Sequence, residues 1–199
     1  MTGPSTPPGR KTTTDAEIAA YTVGELEAHD DTVLIADYDP SWPALFAREA
    51  ERIRRVLGET VLQLEHVGST SVPGLAAKPR IDIVLVVADS SDEPSYAPAL
   101  QSGGYVLRIR EPDAYEHRMF RGPDTDLNLH VYSQGCVEIE LMLRFRDWLR
   151  THPTDRALYE QTKRQLAARR WKHIQNYADA KTEVVEQILA RTMGDAAGR

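Results

Sequence analysis

The segment Ile81-Asp82-Ile83-Val84-Leu85-Val86-Val87 sets one carboxylate inside an otherwise unbroken apolar run. A continuous run of this length, rich in β-branched residues, reads as a central strand buried on both faces. A charge there is costly unless it is paired or bound to a metal. Asp82 therefore needs a partner from elsewhere in the fold, or a ligand. Upstream, Glu65-His66-Val67-Gly68-Ser69-Thr70-Ser71-Val72-Pro73-Gly74-Leu75-Ala76-Ala77-Lys78 reads as strand, small-residue turn and short helix. Glycine at such a turn lets the backbone approach a phosphate, and Ser69 and Thr70 add hydroxyls beside N–H groups at a helix start. Such a turn, with an aspartate nearby to hold a cation, is the minimum equipment for handling a nucleoside triphosphate. The plainer alternatives are an ordinary turn, and an aspartate tied to Ser69, Thr70 or an arginine.

Bulk properties narrow the choice. A chain of 199 residues, 41% hydrophobic, suits one domain with a real core and a short terminal extension. The net charge of -6 and pI near 5.5 argue against a broad nucleic-acid footprint, which shows as a basic domain. Focused arginines (Arg108 and Arg110, Arg118 and Arg121, Arg144 and Arg146) suit a small anionic ligand better than a polymer. No run approaches the roughly 20 apolar residues that span a bilayer. Residues 1–14 are Pro/Thr/Gly-rich without an apolar signal core, and Cys136 is a lone cysteine, so a cytoplasmic protein without disulfides is expected.

Periodicity gives the elements. Residues 1–14 are expected to be a disordered tail, and 15–27 a short helix within a 15–32 extension. Trp42, Leu45, Phe46, Ile53, Val56 and Leu57 mark a long helix stopped at Gly58. Strands are expected at 61–67, 81–87, 105–110, 118–121 and 127–132, with a helix at 94–103 between the second and third. Three helices close the chain, at 137–151, 155–168 and 175–192, the first two separated at His152-Pro153. The order predicts an α+β fold, a mixed sheet flanked by helices with a C-terminal helical segment. A single domain over 33–192 and a flexible end at 193–199 complete the division.

The stretch from His66 to Asp82 resembles the opening fingerprint of the DNA polymerase beta-like nucleotidyltransferase superfamily. More closely, the chain resembles the GrpB family, whose hallmark is a His-Val-Gly-Ser-Thr segment leading to an aspartate. Further landmarks in order are Asp37-Tyr38-Asp39-Pro40-Ser41-Trp42-Pro43, Lys78-Pro79-Arg80-Ile81-Asp82, Glu116-His117-Arg118-Met119-Phe120, Asn128-Leu129-His130-Val131 and Leu143-Arg144-Phe145-Arg146-Asp147-Trp148-Leu149-Arg150. The resemblance implies a nucleotidyltransferase-like fold and phosphate contact at Gly68, Ser69 and Thr70, with His66 orienting the turn.

Asp82 is the implied catalytic and metal-binding carboxylate, for Mg2+ or Mn2+. Superfamily strands usually carry a second acid two residues on, because two-metal phosphoryl transfer needs converging carboxylates; here that position is Val84. A third acid is usual on a neighbouring strand, and His130 stands on the strand that looks like it. Imidazole is a poor Mg2+ ligand and a better one for transition cations, and it is equally suited to act as a general base. Glu116 is the reserve carboxylate. Lys78, Arg144, Arg146 and Lys181 are the implied nucleotide and phosphate contacts. Lys163 and Tyr177 also fall at family-matching positions.

The implied activity is transfer of a nucleotidyl group from a nucleoside triphosphate to a small-molecule acceptor, with no membrane or nucleic-acid partner. The alternatives are an adenylating ligase that activates a carboxylate, and a degenerate relative that only binds a nucleotide or anionic metabolite. The absence of an acid at position 84 fits the last.

Overall fold

The computed structural model describes residues 12–26 and 28–196. Expectations for residues 1–11 and 197–199 lie outside the described residues. Five strands form one sheet in the order β1-β2-β5-β4-β3, with β1 Gln63–Val67, β2 Ile81–Val87, β3 Val106–Glu111, β4 His117–Arg121 and β5 Leu127–Ser133. The β2–β5 pair is parallel and the other pairs are antiparallel, so the sheet is mixed. The α+β layout expected from the sequence is the one observed.

Helix α1 (Asp15–Tyr21) starts on a capping box, in which Thr14 Oγ1 accepts from Glu17 N–H and the Glu17 carboxylate accepts from Thr14 N–H. It stops well before residue 27, because Thr22 turns extended and bridges to Ile109 on β3. Thr13, expected in the disordered tail, donates its N–H to Asp179 at 2.7 Å. Helix α2 (Trp42–Leu57) begins with Pro43 in its first turn and ends at Gly58, whose φ of 55° suits glycine. Short α3 (Ala97–Ser102) follows a single 3-10 turn at Glu93–Ser95.

The C-terminal part holds α4 (Val137–Thr151), α5 (Pro153–Ala167), α6 (Ile174–Asp179) and α7 (Thr182–Ala196). One helix expected over 175–192 is thus two, interrupted at Ala180-Lys181.

Alternation along β2 sends Ile81, Ile83, Leu85 and Val87 to one face. There they form a single core with Leu127, Leu129, Val131 and Phe120 of the neighbouring strands, and with Ile53, Leu57 and Leu100 from α2 and α3. Glu49 is a buried carboxylate in this layer. It accepts from Tyr105 Oη at 2.8 Å and Thr125 Oγ1 at 2.7 Å, which ties α2 to the far strands. On the opposite face, Val84 and Val86 pack with Val67, Tyr132 and Ile139, the last from α4.

Phe120 is fully buried, with its ring edge-on to Tyr96 at 6.2 Å. Phe120→Ala is expected to cost about 3–5 kcal/mol, measured by chemical denaturation. A loss under about 1 kcal/mol would mean that this layer is not packed as described.

Candidate active site

Asp82 sits on the same face as Val84 and Val86, at the start of β2, where its side chain is 29% exposed. The parallel register sets Asp82 beside Asn128, and β4 sets Arg121 on the other side of Asn128. The three are linked: Arg121 Nη1 donates to Asn128 Oδ1 at 2.7 Å, and Asn128 Nδ2 donates to Asp82 Oδ1 at 2.7 Å. His130 Nε2 lies 3.7 Å from the same Asp82 oxygen, too long for a hydrogen bond. Burial works to raise the Asp82 pKa, but the nearby His130, Asn128 and Lys78 outweigh it and hold the carboxyl below its usual range. The lone charge of the apolar strand is therefore accounted for in part by protein partners.

Gly68 ends β1 directly against this carboxylate. Its φ is 68°, and a Cβ added there would sit 2.4 Å from Asp82 Oδ2, so only glycine lets the turn pass so close. Ser69 is half-exposed, and its hydroxyl has no partner among the described residues.

Thr70 is buried and faces inward. Its hydroxyl donates to the Arg80 carbonyl at 3.3 Å and lies 3.1 Å from His66 Nε2, which must then donate to it. His66 pairs in register with Ile83, so its side chain lies on the α2 face, opposite Asp82 and His130. It stacks on Phe46 at 4.8 Å. Burial pushes its pKa down to about 4, against the pull of Asp82 and helped by Arg150 and Arg146. His66 is a neutral prop behind the turn rather than a group in the cleft with His130.

Lys78 follows the turn. Burial lowers its pKa to about 8, with Arg80 pushing further down, Asp82 pulling up, and Arg121 and Lys181 adding to the depression. Its ammonium has no hydrogen-bond partner or ion pair among the described residues. Lys181 lies over the Tyr177 ring at 4.8 Å. Tyr177 is itself buried, so it is a core ring and not an edge for stacking a base.

Other expected residues have structural duties. Arg146 donates to Glu65 at 2.8 Å, to Asp147 at 2.7 Å and to the His66 carbonyl at 3.0 Å. Arg144 pairs with Glu140 one turn back on α4. Glu116 pairs with Arg118, whose side chain alternates to the face opposite Asp82, so Glu116 does not join the cleft. Val84, where a second acid would stand, is fully buried under α4. Among the described residues no group of three or more metal-ligating side chains forms.

Asn128 and Arg150 also contribute to the site. Asn128 shares the period-2 face of His130, a signal the sequence does contain. Arg150, which donates to the Ser71 carbonyl at 2.8 Å, gives no such signal.

A mixed sheet with a glycine turn set against a strand carboxylate defines an α+β domain whose polar side chains gather at the start of β2. Residues 32–191 match the profile of the GrpB protein family, and the chain belongs to that family. A UPF0157 protein of Halalkalibacterium halodurans is 60% identical over 178 residues, covering 89% of this chain and 91% of that protein. A UPF0157 protein of Streptomyces coelicolor is 46% identical over 157 residues, covering 79% and 82%. The crystal structure of the conserved protein GrpB from Enterococcus faecalis superposes with a TM-score of 0.68 at 31% identity, over 79% of this chain and 98% of that one. No helix among the described residues is long and apolar enough to cross a membrane.

The His66 shift has a consequence for stability. Its folded pKa, near 4, lies below the ordinary 6.5, so on acidification the unfolded chain takes up the proton first. The stability this neutral ring confers is complete above about pH 6.5 and is lost as pH falls toward about 4. His66→Gln is expected to flatten the denaturation midpoint across that window. A slope as steep as the parent's would assign the loss to other groups.

Proposed function

We propose that the cleft binds a nucleoside triphosphate with a divalent cation, Mg2+ or Mn2+, and transfers its nucleotidyl group to a small-molecule acceptor. Lys78 carries this reading. A half-buried ammonium depressed by burial and by neighbouring cations, with no carboxylate paired to it, is a site short of negative charge. It stands in the field of Asp82, and Gly68 packs on that same carboxylate. Arg80 and Arg121 already share Asp126, at 2.5 and 3.7 Å, so Lys78 and Lys181 are the charges left for an anion.

The donor set fits a cation that completes its shell with phosphate oxygens and water, since Asp82 lies against the Gly68 turn and no group of three metal-ligating side chains forms among the described residues. Such a cation would neutralise charge on the phosphates as it develops. Gly68 and Ser69 would face the phosphates, with Thr70 and His66 supporting the turn from behind. Lys78 and Lys181 would balance the triphosphate charge. His130 shares the space as an imidazole suited to ligand or base.

A second reading has its own observation. Val84 is dry and covered by α4, so the second carboxylate of two-cation transfer has no place on this strand. That favours a relative that binds a nucleotide or another anionic metabolite without turning it over.

Thermal melts against the four nucleoside triphosphates, with and without Mg2+ or Mn2+, test the binding. A metal-dependent rise is expected, about 2.7 kcal/mol at 100-fold over the dissociation constant. Asp82→Asn should abolish it, and the intact protein showing no shift with any of the four would overturn the reading. Lys78→Met removes one charge-assisted contact, about 1.5–3 kcal/mol, and should weaken nucleotide affinity roughly ten- to hundredfold. Pyrophosphate release in an acceptor screen separates transfer from binding alone.

A further inference from the structure

Two carboxylates and two imidazoles stand in line across the face that carries Asp82. Glu111 Oε2 lies 2.7 Å from His117 Nδ1, and His117 Nε2 lies 3.0 Å from His130 Nδ1. His130 Nε2 then faces Asp82 Oδ1 at 3.7 Å. Strand pairing builds the line: Glu111 on β3 is the register partner of His117 on β4, and β4 pairs with β5, which carries His130. The imidazoles stack at 5.2 Å, and the His117 ring also stacks on Tyr132 at 4.8 Å. At 7% exposure His117 is fixed in place, whereas His130 opens toward the cleft.

Hydrogen-bond logic gives the proton arrangement in which His130 can take a cation. A carboxylate only accepts, so His117 donates from Nδ1 to Glu111. A neutral His117 can then accept at Nε2 from His130, 3.0 Å away. In that arrangement His130 carries its proton on Nδ1 and keeps Nε2 for a cation placed beside Asp82. At 3.7 Å, Asp82 Oδ1 and His130 Nε2 face a common space that a cation could share. An imidazole whose distal N–H is committed to a supporting partner is the arrangement that metal-binding histidines use. Nitrogen beside oxygen also shifts preference from Mg2+ toward first-row transition cations.

We propose that Glu111 and His117 are positioning residues that hold His130 in its Nδ1–H form, so that Asp82 and His130 together favour a transition cation over Mg2+. This rests on the reading of the cleft as a cation–nucleotide site, and it assigns His130 the role of ligand rather than base.

The test uses the full chain, ATP and Mn2+ as the probe, with excess Mg2+ as competitor. Long-range proton–nitrogen correlation on histidine-labelled protein should show His130 protonated at Nδ1 and bare at Nε2. Paramagnetic resonance should show Mn2+ bound and poorly displaced by Mg2+. His117→Ala should move the His130 proton to Nε2 and weaken Mn2+ by about 10–100-fold, with the Mg2+–ATP affinity unchanged. His117→Gln, whose amide oxygen accepts in place of Nε2, should recover most of the loss, which a merely packing role would not predict. A wild-type His130 found protonated on Nε2, or Mn2+ affinity indifferent to His117→Ala, overturns the proposal and leaves the cation–nucleotide reading standing. Failure of the wild type to bind either cation with ATP overturns both.

Discussion

β2 and β5 run parallel in a register that places Asp82 against Asn128, and the cleft exists only in that register. A parallel pair cannot be closed by a tight turn. The chain between the two strands therefore makes a long excursion through α3, β3 and β4 before β5 returns beside β2. That detour brings Arg121 to Asn128 and His117 to His130. It also meets the cost of a carboxylate in an apolar strand, because the Asn128 amide and the surrounding positive charge keep Asp82 ionised. A slip of one residue would turn Asp82 toward the core packed on α2 and α3.

The C-terminal helices fix the loop that ends β1. Val72 and Leu75 lie in a cluster with Leu149, Tyr159, Val184 and Ile188 from α4, α5 and α7. Arg150 bonds the Ser71 carbonyl, Arg146 bonds the His66 carbonyl, and Lys163 bonds the Ala76 carbonyl, while Glu160 accepts from Ala76 N–H at 3.0 Å. Lys163 is only 2% exposed, and burial, aided by Lys181, pushes its pKa down to about 7. These charges hold backbone, so the Gly68 turn is set before any ligand arrives, which lowers the entropy to be lost on binding.

Much of the architecture was visible in residue order. The apolar run at 81–87, the glycine stop at 58 and the His152-Pro153 break all carry local signals, and each marks a real boundary or element. The failures share one physical cause. The helix expected at 15–27 ends early because Thr22 is recruited as a bridge to β3, and Tyr177 is a core ring because α6 packs inward on Val33 and Leu166. Both outcomes depend on distant segments that no local window contains. Glycine at 68 suits close approach to a phosphate, and in the fold it first permits close approach to Asp82.

Sequence alone determined that one charge lies in a central strand beside a glycine turn, because cost and conformational freedom are properties of residue types. It also placed His66 on the strand that ends at the Gly68 turn, and Arg144 and Arg146 on one helix. Only the tertiary structure decided which of these groups meet. Strand pairing and helix packing gave Asp82 the company of Asn128, Lys78 and His130, turned His66 to the far face, and bound Arg144, Arg146 and Glu116 to other charges. The reason is geometric: a side chain's period along its own strand fixes its face, but its neighbours on that face come from segments whose register is set by the whole sheet.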